Sequence, residues 1–192
     1  LNHVYADVDG NIGYKAAGLF PRRVSWDGLL PVPGDGRHEW QGFFAMDALP
    51  TSFNPARGFV ATANEMNLPP DYPIAERRVG FEWTGPWRSL RILEVLASQP
   101  RHTLEDSLRL QRDYTSTLAL RLQAAIRDVD HPAADMLRGW DGVLDADSAA
   151  AALFVVWYER HLMPTLLAQT APADAATLIG RPDALAVLDL LA

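Results

Sequence analysis

The chain contains no cysteine, which excludes a disulfide scaffold and any thiolate metal site. Basic residues are in deficit: 17 Lys and Arg stand against 24 Asp and Glu, for a net charge of −7. No basic face of the kind that binds nucleic acid is therefore expected. A long hydrophobic run is also missing. The longest nearly apolar stretch, Ala149 to Tyr158, falls short of the about 20 residues that span a bilayer, so no membrane partner is expected. There is no initiator methionine and no signal-peptide pattern. The opening Leu1-Asn2-His3-Val4-Tyr5 already reads as strand, and a chain that starts inside a strand reads as cut from something longer. What is present is ordinary for a globular protein: 192 residues, 48% hydrophobic and 21% charged, enough to bury a core and too apolar to be disordered.

Composition shifts near residue 100. Ten of the fourteen prolines and ten of the thirteen glycines lie in residues 1–100, whereas most alanines lie after it. Proline and glycine punctuate turns and alanine favours helix. The fold class is thus α+β, with strands and ordered loops in residues 1–84 and helices in 85–192.

His3 to Asp7 and Asn11 to Ala16 flank Val8-Asp9-Gly10, an Asp-Gly hairpin signal. Leu29 to Gly36 is a Pro- and Gly-rich connection. Trp40 to Phe44 and Gly58 to Ala63 are the next predicted strands, with a turn at Asn54-Pro55 between them. Pro86 suits a first helical turn ahead of Arg88 to Ser98, which Pro100 stops. Thr103 is the expected N-cap of a helix running to about Val129, with Glu105 and Asp106 in its first turn. Pro132 opens a short helix that ends at Trp140-Asp141-Gly142. Ala149 to Leu167, bent or capped at Pro164, and Pro182 to Leu191 complete the helices.

Generic catalytic signatures are scarce. The five histidines, His3, His38, His102, His131 and His161, show no i, i+3 or i, i+4 pairing, which argues against zinc. Gly10-Asn11-Ile12-Gly13 lacks the strand–loop–helix setting of a dinucleotide loop. No Gly-x-Ser-x-Gly elbow occurs. One position stands out. In Gly58-Phe59-Val60-Ala61-Thr62-Ala63-Asn64-Glu65, an asparagine ends a predicted strand, where a buried side-chain amide can donate to a developing oxyanion. The alternative is an asparagine capping the strand end or forming an Asx-turn. Arg88, just before a helical apolar run, reads either as functional or as a surface or salt-bridge arginine.

Several motifs together resemble a known family. Tyr5-Ala6-Asp7-Val8-Asp9-Gly10-Asn11-Ile12-Gly13-Tyr14 is similar to a signature stretch of the penicillin amidase family, the penicillin acylases and acyl-homoserine-lactone acylases. In order follow Gly18, Leu30-Pro31-Val32-Pro33-Gly34, Glu39-Trp40-Gln41-Gly42, Asn54-Pro55, Thr62-Ala63-Asn64, Asp71-Tyr72-Pro73, Trp83, Arg88 and Trp140-Asp141-Gly142. The resemblance is dense over residues 1–100 and looser to about 165. It implies an N-terminal nucleophile hydrolase with an αββα core, made as a precursor that cleaves itself into two chains. The nucleophile is then the new N-terminal serine of the larger chain, with its own α-amine as base.

Carried over to this sequence, the resemblance implies that Asn64 is the oxyanion-binding asparagine and that Arg88 orients groups around nucleophile and substrate. Glu76 and the backbone at Gly28 fall where a structural calcium takes oxygen ligands, and Leu1 falls at an apolar position of the acyl pocket. The family often reads Asn-Asn where this chain has Asn64-Glu65. Leu1 is not a serine, so the chain reads as an internal slice of the large chain, inactive by itself. Its partners would be a small-molecule amide and the remaining segments of the same precursor, the small chain and the rest of the large chain. Edges exposed by such a slice would favour homo-oligomers. Periplasmic or secreted location is implied for the whole protein. The alternative is a non-enzymatic binding or assembly module derived from that fold.

Overall fold

The computed structural model describes residues 1–179 and 184–191. The chain divides into two compact units, Leu1–Thr84 and Gly85–Ala192. Among the described residues no helix is long and apolar enough to cross a membrane.

The first unit holds a three-stranded antiparallel sheet in the order β1-β2-β3, formed by β1 (Asn2–Ala6), β2 (Ile12–Ala16) and β3 (Thr51–Phe53). Asn2 pairs with Ala16 and Ala6 with Ile12; Gly13 pairs with Phe53 and Lys15 with Thr51. The Asp-Gly hairpin forms, with Gly10 at φ 85, a left-handed conformation that costs glycine little. Asp7 organises that turn, since its carboxylate accepts the Asn11 N–H at 2.8 Å and the Asp9 N–H at 3.0 Å. Strand β2 lies at the centre and buries Tyr14 and Ala16 against Leu49, with Phe20, Phe44, Val60 and Val79 packed around them. Strand β1 is exposed along its whole length.

Two predicted strands do not form. Trp40 to Phe44 is reduced to a single bridge between Phe43 and Pro21. Pro21 has no N–H to give a ladder, and Gly42 at φ 77 turns the chain away. Gly58 to Ala63 runs without a strand partner, bracketed by Gly58 at φ 77 and Asn64 at φ 65. The third strand is instead Thr51–Phe53, immediately before the Asn54-Pro55 turn.

The second unit is helical: α1 (Trp87–Ala97), α2 (Leu104–Leu110), α3 (Thr117–Ala125), α4 (Pro132–Arg138), α5 (Ala149–Trp157), α6 (Met163–Thr170), α7 (Ala173–Ile179) and α8 (Ala184–Leu191). Its core gathers Leu118, Ala119, Leu122, Leu137, Phe154, Tyr158 and Met163. Phe154 stacks on Tyr158 at 5.7 Å between ring centroids and meets Trp140 at 5.6 Å.

The single helix expected from Thr103 to Val129 is two helices. The intervening Asp113 to Ser116 prefer local caps to helix: Asp113 accepts the Thr115 N–H at 2.9 Å and Ser116 Oγ accepts the Ala119 N–H at 3.1 Å. The Ala149 to Leu167 run is continuous but widens into a π turn at Tyr158–Leu162, just ahead of Pro164. A proline there supplies no N–H to the preceding turn, and the backbone adjusts around the gap. Helix α7 had no sequence expectation. Of the Pro182 to Leu191 prediction, Pro182 lies outside the described residues and Ala184–Leu191 is helix.

Candidate active site

Asn64 sits in a cleft of about 430 Å³ in the first unit, lined also by Asn2, Glu65, Asn67, Glu82, Trp83 and Thr84. The predicted setting is corrected in two respects. Asn64 follows no strand, and it is exposed rather than buried. Its backbone is left-handed, at φ 65. That conformation costs most L-residues about 1–2 kcal/mol, and asparagine is among the few that visit it.

The peptide groups on both sides of Asn64 are held. The Thr84 N–H donates to the Asn64 carbonyl at 3.0 Å. The Thr84 hydroxyl reaches the same carbonyl at 2.8 Å and the Ala63 carbonyl at 3.2 Å. One peptide further back, the Glu65 carboxylate accepts the Ala63 N–H at 2.6 Å.

A second layer of amides lies alongside. The side chains of Asn2 and Asn67 donate to the Thr62 hydroxyl at 3.2 and 3.1 Å. The Tyr14 hydroxyl donates to Asn2 Oδ1 at 2.8 Å. Burial pushes the Tyr14 phenol above its ordinary range, and the Glu65 charge adds to that. Tyr14 therefore stays a neutral donor at physiological pH. The cleft around Asn64 is thus polar, lined by amides, a threonine and the Glu65 and Glu82 carboxylates.

Arg88 is an exposed residue in the first turn of α1, in the second unit. It lines a cleft of about 490 Å³ together with Trp87, Ile92, Leu110, Tyr114 and Leu144. Sequence reading missed Arg91 and Asp113 in the same cleft. They form a two-point ion pair, Nε at 2.9 Å and Nη2 at 2.8 Å. Burial pushes the Asp113 carboxyl up, but hydrogen bonds from Arg91 and Thr115 outweigh it and leave it below the usual range. No local motif announces this pair, because its members lie on different segments.

Leu1 is 90% exposed, and its carbonyl accepts the Ala17 N–H at 2.8 Å. Gly28, at φ 91, and Glu76 are both exposed. Glu76 closes a turn through its N–H to the Pro73 carbonyl at 3.0 Å. Calcium takes about 6–8 oxygen ligands. Among the described residues no group of three or more His, Asp or Glu side chains is placed to hold a metal ion.

A thermostable penicillin G acylase from Alcaligenes faecalis has a similar structure, with a TM-score of 0.68 and 23% identity, covering 92% of this chain and 34% of that one. The architecture is therefore part of an N-terminal nucleophile hydrolase fold, α+β, with its strands within residues 1–63. The penicillin amidase family model matches residues 1–191, and the chain belongs to that family. The acyl-homoserine lactone acylase QuiP of Pseudomonas aeruginosa is 30% identical over 91% of this chain and 23% of its own length. The penicillin acylase 2 proenzyme of a Pseudomonas species is 33% identical over 80% of this chain and 20% of its own. The chain thus spans less than a quarter of the length of these curated relatives.

Proposed function

We propose that this chain is a segment of the large chain of an amide hydrolase that removes an acyl group from a linear amide, such as a penicillin side chain or an acyl-homoserine lactone. The observation that carries the reading is Asn64, held in a left-handed turn by bonds on both sides and opening on a polar cleft. In this reading an N-terminal serine, supplied by polypeptide outside these 192 residues, attacks the amide carbonyl. Its own α-amine, which titrates near 7.7–8.0 when unperturbed, takes the serine proton and passes it to the leaving amine. Asn64 donates its side-chain amide to the oxyanion of the tetrahedral intermediate. Water then releases the acyl group.

Arg88 orients groups about the nucleophile, and Leu1 belongs to the acyl pocket. The small chain and the rest of the large chain are the partners, consistent with a relative described as a proenzyme. A structural calcium would use Glu76 and the Gly28 carbonyl only together with ligands from those other segments. Periplasmic or secreted location goes with the same reading.

The test is Asn64→Ala in the full-length protein. An oxyanion donor is worth about 10²–10³ in turnover, so kcat should fall by that factor with KM little changed and circular dichroism intact. Unchanged turnover removes Asn64 from this role. Absence of amidase activity in the unaltered full-length protein would favour a binding or assembly module instead.

A further inference from the structure

We infer that Glu65 and Thr84 are positioning residues that fix the oxyanion donor Asn64; the inference rests on the role proposed for Asn64 above. An asparagine side chain has only two rotatable bonds. If its backbone is fixed, the amide nitrogen is confined to a small arc. Fixing that backbone requires pinning the peptide units around it: Thr84 bonds the Ala63 and Asn64 carbonyls, one in each flanking peptide, and Glu65 bonds the Ala63 N–H, one peptide further back.

Glu65 reaches backwards across Asn64. Its Oε2 accepts the Ala63 N–H at 2.6 Å, closing a ring that contains the Asn64 backbone. Thr84 holds the two peptides that adjoin Asn64. Its N–H and hydroxyl both donate to the Asn64 carbonyl, at 3.0 and 2.8 Å. The hydroxyl also lies 3.2 Å from the Ala63 carbonyl, so it can pass its one proton between the two. Between them these contacts engage the N–H of residue 63 and the carbonyls of 63 and 64.

The residue they hold is at φ 65, which an unrestrained chain leaves readily. Both clamps also line the cleft with Asn64, so relaxing either moves the donor relative to that space. A catalytic donor must be in place before charge develops, and a 1 Å misplacement costs about 10²-fold in rate. The two clamps are not chemically equal. A carboxylate bonding a backbone N–H is charge-assisted, and glutamine at 65 keeps an acceptor of the same length, whereas alanine removes it. Serine at 84 keeps the hydroxyl; valine keeps the shape and the N–H but loses the hydroxyl.

The experiment measures kcat and KM on a chromogenic acyl amide for Glu65→Ala, Glu65→Gln, Thr84→Val and Thr84→Ser in the full-length protein. Each is made alone and combined with Asn64→Ala. Glu65→Ala and Thr84→Val should each lower kcat about tenfold with KM within twofold. Glu65→Gln and Thr84→Ser should recover most of the loss. With Asn64 already replaced by alanine, the same substitutions should cost nothing further in kcat, because there is no donor left to aim. A purely structural role would instead lower kcat by the same factor in both backgrounds, and that result overturns the inference. So does wild-type kcat in Glu65→Ala and Thr84→Val while Asn64→Ala is impaired. If Asn64→Ala alone leaves kcat unchanged, it is the proposed function that fails, and the positioning role fails with it. Should Thr84→Val not fold, the Glu65 pair decides the matter.

Discussion

At the residue scale, asparagines do work that backbone ladders would otherwise do. Asn54, at φ 45, accepts the Ile12 N–H through Oδ1 at 2.9 Å and gives its own N–H to the Ile12 carbonyl at 2.9 Å. Its Nδ2 donates to Asn11 Oδ1 at 2.8 Å, and Asn11 in turn donates to the Asp7 carboxylate at 2.9 Å. The knot joins the hairpin turn to the end of β3, so that one residue extends the β2–β3 pairing past the point where its backbone turns away. Asn54→Ala should lose the side-chain bonds and leave a Cβ-bearing residue in the left-handed region, costing about 2 kcal/mol. Asn54→Gly keeps the conformation and should cost less. Urea unfolding checks both, and equal midpoints for wild type and Asn54→Ala would reject the knot as a stabilising feature. This residue shows where sequence reading stops. Asn54-Pro55 is legible as a turn, and Asn64 is legible as a candidate donor. What Asn54 bonds to lies 42 positions away, and what holds Asn64 includes a threonine 20 positions away, so neither has a local pattern.

At the element scale, caps were more legible than lengths. Thr103 is an N-cap as expected, with a reciprocal box: its hydroxyl accepts the Asp106 N–H at 3.1 Å and the Asp106 carboxylate accepts the Thr103 N–H at 2.7 Å. Pro132 opens α4 at the expected place. The length of the run from Thr103 was misread because apolar spacing continues in phase across Asp113 to Ser116, whereas the break is made by tertiary partners. The Ser116 N–H donates to the Gly142 carbonyl at 2.8 Å, and Asp113 is claimed by Arg91. The strand errors have the same origin. Gly58 to Ala63 has strand composition, but forming a strand needs a neighbour, and positive φ at each end denies it one.

The box around Asp106 makes a pH prediction. Backbone and side-chain hydrogen bonds from Thr103, with Arg109 beside it, hold the Asp106 carboxyl at about 2, below its ordinary 3.8. A carboxyl held low in the folded state contributes stability that is present above its ordinary pKa. That contribution is lost as pH falls from about 4 through about 2. The carboxyl carbon of Asp106 should therefore titrate near 2 by NMR, and the protection of α2 amides relative to their intrinsic exchange rate should fall over that interval. Asp106→Asn should remove the pH dependence of that protection. Titration near 4 would show that the box does not hold in solution.

At the scale of the whole chain, the two units differ in how completely they satisfy themselves. The helical unit buries an aromatic and aliphatic core drawn from α3, α4, α5, the π turn and α6, with α1 and α8 packed against it. The sheet unit has a three-stranded sheet with one buried strand. Strand β1 is exposed on both faces, and Val8 at its turn is fully exposed. A strand with no cover on either face and an unpaired edge is a template for further pairing. Apolar residues in the same unit, Leu19, Leu30, Trp40 and Phe53, are more than half exposed. The net charge of −7 opposes association only through screened repulsion. The 192 residues produced alone should therefore self-associate and should hydrolyse no chromogenic phenylacetyl or acyl amide, because the proposed serine and its α-amine are contributed by other polypeptide. On the proposed function, co-production with the remaining segments of a precursor should suppress the association and bring activity with it. Light scattering coupled to size exclusion, with an amidase assay on the same fractions, tests the pair of outcomes together. A monodisperse monomer would show that the exposed edge is self-sufficient, and turnover by the chain alone would show that the nucleophile lies within it.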